Sequence, residues 1–278
     1  MKKQTTTLVI EAGRTSKQYW LDLWSYRELF YFLAWRDILI RYKQTVIGVA
    51  WALIRSFLTM IVFTVIFGKL AKLPSDGVPY PILVFSAMLP WQFFANSLGG
   101  CSNSLISNTN LISKVYFPRL IIPTSAVVVS FVDFALSGMI LLGLMAWYNF
   151  VPSWQILTLP FWILIAAVAS MGGGLWLAAL SVKYRDFRYI VPFIIQFGLY
   201  ISPVGFSSSI VPDKWRLLYS LNPMVGAIYG FRWAILGSVG SSGLYLPGFI
   251  LSIALVFLLF TSGIWYFRKV ERTFADVI

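Results

Sequence analysis

From Val46 to Gly68 the chain runs for 23 residues with one charged side chain, Arg55. At 1.5 Å per residue a helix of that length covers about 34 Å, enough to cross a hydrocarbon core of about 30 Å. A backbone in lipid must satisfy its own hydrogen bonds, so such a run commits the chain to helices. Comparable apolar runs follow at about Ile82–Leu98, Ile121–Trp147, Leu159–Val182, Ile190–Phe206 and Leu246–Phe267. The sequence thus predicts an all-α integral membrane protein with six transmembrane helices. Pro90 is expected to kink the second, and Gly172, Gly173 and Gly174 let neighbours approach the fourth closely.

Only 12% of the residues are charged and 59% are hydrophobic, against about 25% and 45–50% in ordinary globular domains. No soluble domain is left once the spans are counted. The expected organisation is a cytoplasmic tail over 1–25, flexible or β-like in its first 20 residues. An amphipathic interface helix over 26–45, a six-span domain over 46–267 and a cytoplasmic tail over 268–278 follow. In the interface helix, Tyr31, Trp35, Ile38 and Tyr42 repeat at helical spacing, while Arg36, Asp37, Arg41 and Lys43 lie largely on the other side. A basic, aromatic-rich helix of this kind lies in the membrane interface. Between the fifth and sixth spans, two short helices fit, Asp213–Leu221 and Pro223–Leu236, both too short to be confident spans and read as re-entrant or interfacial.

The net charge of +12 is distributed by side. Of 22 Lys and Arg, sixteen fall in the N-terminal region, the 108–119 loop, the 183–188 loop and the C-terminal tail, and five (Lys69, Lys72, Lys214, Arg216, Arg232) in the other loops. The positive-inside rule then puts both termini in the cytoplasm and explains the basicity without nucleic acid. There is no histidine, and Cys101 is the only cysteine, so the commonest general base, a disulfide and a cysteine metal cluster are all excluded. No metal site is expected. No G-x-x-x-x-G-K-[ST] loop occurs; the nearest fragment, FGKLAK, lacks its first glycine and its hydroxyl residue. The chain has no recognised means of using ATP, needs no cofactor of its own and is not expected to be an enzyme.

Seven stretches, in order, resemble the permease subunits of polysaccharide ABC exporters. They are RDILIRYKQTVIGVAW, PSDGVPYP, MLPWQFF, NLISKVYFPRLIIP, VKYRDFRY, SPVGFSSSIVP and SLNPM. The resemblance covers about residues 20–270. It is nearest to the O-antigen type, in a group that includes capsule and teichoic acid exporters. It implies a homodimer in a bacterial inner membrane, joined to two copies of a cytoplasmic ABC ATPase that binds ATP and Mg. It also implies a lipid-linked polysaccharide as cargo, with membrane lipids around the chain. The ATPase must dock on cytoplasmic segments. Asn110, Leu111, Ile112 and Lys114 resemble the family's coupling helix; Arg36, Asp37 and Arg41, then Tyr184, Arg185 and Asp186, are the next candidates. Ordinary basic loops are the rival reading for each.

A glycan pathway needs aromatic faces for sugar C–H surfaces and polar groups for hydroxyls. Three helical stripes supply them: Trp51, Arg55 and Thr59; Ser130, Asp133 and Ser137; and Phe193, Gln196, Phe197 and Tyr200. For Trp51 or Tyr200 taken alone, a lipid-facing or packing role is favoured over contact with sugar. An intramembrane charge normally faces a partner or a watery cavity. Arg55 therefore either pairs with Asp133 or faces the conduit. The resemblance suggests an outer gate in the short helices, and Pro223, Gly226, Tyr229 and Gly230 suit a movable lid. Two other classes are weaker. A proton-coupled secondary transporter would have Asp133 as its one obvious relay and shows no internal repeat. A membrane glycosyltransferase would lack a D-x-D site, with only Asp76 and Asp213 in the outer loops.

Overall fold

A computed structural model describes residues 16–43, 48–75, 77–207, 210–237, 245–271 and 274. Among these the chain is helical and has no strand. The elements are α1 Ser16–Ser25, α2 Arg27–Lys43, α3 Gly48–Phe63, α4 Tyr80–Ser107, α5 Thr109–Lys114 and α6 Ile121–Trp147. They continue with α7 Leu159–Lys183, α8 Phe187–Ile201, α9 Asp213–Tyr219, α10 Pro223–Leu236 and α11 Leu246–Glu271. The helix of α3 continues through a wider, π-helical segment, Thr64–Leu70. A 3₁₀ turn, Trp154–Thr158, leads into α7.

Among the described residues, five helical stretches are long and apolar enough to cross a membrane: Leu53–Leu70, Tyr80–Ser107, Ile121–Trp147, Trp154–Lys183 and Leu246–Glu271. The chain is a multi-pass membrane protein. The fifth expected span, Ile190–Phe206, differs. Its helix, α8, has 15 residues, about 22 Å, and stops at Ile201. Pro203 is the cause, since it lacks a donor and disfavours the helical conformation at Ser202. The backbone that follows is buried and irregular, and donors from other helices satisfy it. Arg232 of α10 donates to the carbonyls of Pro203 and Phe206 at 3.0 Å each and to Leu83 of α4 at 3.3 Å. The Tyr80 hydroxyl donates to Gly205 at 2.7 Å. Irregular backbone at membrane depth is tolerated where protein supplies such partners.

The core is built around α4, which packs between α6, α7 and α10. Gly172 of α7 and Gly263 of α11 meet where the two helices cross; a Cβ on Gly172 would lie 2.7 Å from the Phe260 nitrogen. A second cluster, including Leu33, Leu105, Ile112, Phe117 and Phe267, joins α2, α4, α5, α6 and α11 at one end of the bundle. Polar contacts close that end. The Tyr19 hydroxyl donates to the Glu271 carboxylate at 3.0 Å, and the Arg119 backbone N–H donates to it at 2.9 Å. Burial, together with the Glu271 charge, pushes the Tyr19 hydroxyl well above the usual phenol range, so it stays a donor. The helix α1 and the end of α11 therefore share one end of the bundle.

Several expectations are corrected. Residues 16–20, expected within a flexible or β-like tail, are helical as the start of α1; residues 1–15 lie outside the described residues, as do Val46 and Asp76. The second span does not fade at Leu98, because GGCSNSLISN continues the helix to Ser107. In that stretch Ser102 and Ser104 return their hydroxyls to carbonyls three residues back, at 2.9 and 2.7 Å, so the polar side chains do not compete with the helix. The helix expected to hold the gate, α10, packs in the core. Eleven of the 14 residues of α10 are buried, Gly226 and Gly230 among them. Gly226 sits against Ser252, whose hydroxyl accepts its N–H at 3.1 Å, and Gly230 sits against the Trp162 ring. Pro223 and Tyr229 are half-buried beside them. Leucine at either glycine would disrupt packing before it could report on gating. Arg232, grouped above with the loop cations, is 2% exposed within this core.

Candidate functional site: a polar-lined cavity between four helices

A cavity of about 690 Å³ opens between α3, α4, α6 and α8, beside Arg41 at the end of α2. Six of the eight residues expected to contact a glycan line it: Trp51, Arg55 and Thr59 from α3, Asp133 from α6, and Gln196 and Tyr200 from α8. Phe193 and Phe197 do not. They stack on each other, 5.7 Å apart and 8° from parallel, on the exposed side of α8. Ser137 lines the cavity, while Ser130 is buried and bonds back to Ala126.

The helix α4 contributes the polar wall that sequence reasoning missed. Gln92, Asn96, Gly99 and Asn103 recur at i, i+4, i+7 and i+11, so they stand on one face. That spacing is present in the sequence, but half of it lies in the stretch read as the end of a span. Gln92 also accepts a hydrogen bond from Ser56 of α3 at 3.0 Å. Trp91, Phe93 and Phe134 supply apolar wall between these amides.

Asp133 is nearly buried, and its partner is not Arg55. Arg41 of α2 pairs with it at 2.8 Å, and Asn96 donates to it at 3.3 Å. The Tyr42 hydroxyl donates to its other oxygen. Burial and this bond to Asp133 push the Tyr42 hydroxyl well above its ordinary range, holding its proton in place. Arg55 is exposed to the cavity and makes no ion pair among the described residues. The expected Arg55–Asp133 pair is not formed, and Arg55 lines the cavity.

The helix α2 buries Leu33 and Ala34 against the bundle and makes polar contacts beside them. Arg36 bonds to Asp37 at 2.7 Å and to Asn108, the residue before α5, at 2.8 Å. Tyr31, Phe32 and Trp35 are exposed, with Tyr31 and Trp35 stacked at 6.5 Å. Together with Trp20 and Trp24 of α1 they form an aromatic outer surface suited to a lipid headgroup layer. On α5, Ile112 is the buried anchor, Leu111 is half-buried, and Asn110 and Lys114 are exposed. Tyr184, Arg185 and Asp186 are exposed in the α7–α8 connection, with the Lys183 ammonium over the Tyr184 ring.

The cavity can hold a hydroxyl-rich molecule of a few sugar rings, offering amide and hydroxyl partners beside aromatic surface. Its outer flanks are unusual for a core site: on α3 and α8 most large apolar side chains are exposed, including Phe57, Leu58, Ile194 and Ile201.

Comparison with known proteins supplies the family. A family model described as "ABC-2 type transporter" matches residues 28–236. The chain is 29% identical over 214 residues to "O-antigen export system permease protein RfbA" of Myxococcus xanthus, covering 76% of this chain and 81% of that protein. A Klebsiella pneumoniae protein of the same name is 26% identical over 248 residues, 87% of this chain and 92% of its own length. "Inner membrane transport permease YadH" of Escherichia coli K12 is 23% identical over 198 residues, 66% of this chain and 75% of that protein. The family match runs from the interface helix through α10 and takes in every wall of the cavity; the chain belongs to the ABC-2 type transporter family.

Proposed function

We propose that this chain is the transmembrane subunit of an ATP-driven exporter that moves a lipid-linked polysaccharide, O-antigen, outward across a bacterial inner membrane. The observation that carries this reading is the cavity: amides, hydroxyls and an arginine set among aromatic rings, inside a helical membrane protein. The names of the RfbA relatives support the cargo. The chain works as a homodimer with two copies of a cytoplasmic ABC ATPase, which bring ATP and Mg. Family membership and the missing phosphate loop support the ATPase partner. The exposed apolar flanks of α3 and α8 support the dimer, because a second copy there would enclose the cavity's open side. Lysine and arginine asymmetry, with α1 and the end of α11 at one end, supports cytoplasmic termini and a sixth crossing made by α8 and the capped turn after it. The docking segments would be α5 with Asn110 and Lys114, the Arg36–Asp37 region of α2, and Tyr184–Asp186.

Deleting this chain from its native strain should abolish surface O-antigen while lipid-linked glycan accumulates inside. Immunoblots of surface and inner-membrane fractions check both. Loss of a capsule or teichoic acid instead keeps the exporter and changes its cargo. Unchanged glycans on both sides would contradict the reading.

A further inference from the structure

Two polar contacts that α2 makes with the bundle lie five residues apart, about 7.5 Å along the helix. At one, Arg36 holds Asn108, whose carbonyl accepts the first turn of α5. At the other, Arg41 and Tyr42 hold Asp133, which stands in the cavity wall and is tied to α4 through Asn96. Tyr31, Phe32 and Trp35 of α2 are exposed. A short rigid helix fixed at two such points carries a displacement at one to the other.

We propose that Asp133 is a positioning residue for transport: it is the cavity-side anchor of α2, through which movement of the α5 segment reaches the cavity wall. This rests on the reading that an ATPase docks at α5. Asp133 does so without touching the ATPase and without serving as a proton relay. A carboxylate is required because two donors from α2 and one from α4 converge on its two oxygens. Its burial makes the link stiff, since an alternative partner in water is out of reach.

The test compares Asp133→Asn, Arg41→Gln and the exchange Arg41→Asp/Asp133→Arg in the chain assembled with its ATPase partner. Three quantities are read: complex recovered by size exclusion, ATP hydrolysis of that complex, and glycan at the surface of the same cells. Asp133→Asn keeps the shape and part of the hydrogen bonding. It should give normal complex and ATP hydrolysis within about twofold of the parent, with surface glycan per ATP hydrolysed falling about tenfold. The exchange should recover much of that ratio. Arg41 is half-exposed, so Arg41→Gln carries the same expectation should Asp133→Asn fail to fold. A purely structural role would lower complex, hydrolysis and export together and leave the ratio unchanged; that result overturns the proposal. Failure of the unaltered chain to form a complex with an ATPase would overturn the exporter reading as well, and is distinguished by its appearance before any substitution.

Discussion

Arg232→Met should leave a protein that inserts but unfolds far more easily than the parent. Arg232 is 2% exposed and donates to the carbonyls of Pro203, Val204 and Phe206 after α8 and of Leu83 on α4. Methionine fills much of the volume and removes every donor. Leu83 keeps the Ser86 hydroxyl as a donor, whereas the Pro203, Val204 and Phe206 carbonyls lose theirs, at roughly 1 kcal/mol each and about 3 kcal/mol together. Arg232→Lys should recover little, because one ammonium cannot match a planar fork directed at several carbonyls. Arg216→Met is the control. Arg216 pairs at 2.9 Å with Asp213, which is 89% exposed, and a surface pair of that kind is worth less than about 1 kcal/mol. Thermal unfolding in detergent, followed by size-exclusion recovery, should separate the two by a large margin. Equal stability of Arg232→Met and Arg216→Met would show that the turn after α8 does not depend on this guanidinium.

Gly172→Ala should be nearly as damaging, through one methyl group. The added Cβ would lie 2.7–2.9 Å from backbone atoms of Leu259 and Phe260, which have no rotamer by which to move away. The helices α7 and α11 must separate, and the contact of Gly263 with the Gly172 carbonyl is lost with them. Overpacking of a tight core costs about 1–3 kcal/mol, and a backbone clash sits at the upper end. Gly143→Ala on α6 is the informative contrast. Its Cβ meets nothing within 4 Å, so the change should be neutral or stabilising by up to about 1 kcal/mol, as expected for alanine over glycine in a helix. The same recovery assay checks the pair. Indistinguishable Gly172→Ala and parent proteins would mean that α7 and α11 do not cross as closely as described.

How far the sequence carries is clear from these residues. Ile121–Trp147 is α6 to the residue, bounded by Pro118 and the Tyr148–Phe150 stretch, and Pro223–Leu236 is α10 to the residue, bounded by its own first proline and by Gly237. The end of α4 was hidden because serine and asparagine lower the hydropathy without breaking the helix. The fate of α10 was hidden for the opposite reason. It is short and rich in glycine, which reads as mobility, yet those glycines admit Ser252 and Trp162 into close contact. Helical spacing was a partial guide to a shared face: the Trp51–Arg55–Thr59 stripe reaches the cavity whole, while Ser130, Phe193 and Phe197 of the other two stripes do not line it. Partners across helices were not legible. Asp133 had two arginines within plausible reach, and only the packing of α2 against α6 selects Arg41 over Arg55. Nor does a lone arginine in an apolar stretch reveal whether it meets water, as Arg55 does, or capped backbone, as Arg232 does.

The most direct test of the central claim asks whether a glycan passes through the cavity. A photo-crosslinking amino acid is placed at Gln196, which lines the cavity from the exposed α8, and, as a control, at Met139, 66% exposed on α6 and outside it. Irradiation of cells making the glycan should yield a ladder of glycan-bearing adducts at position 196 that disappears when ATP is depleted, with none at 139. No adduct at 196, or equal adducts at both positions, would contradict a polysaccharide conduit between these four helices.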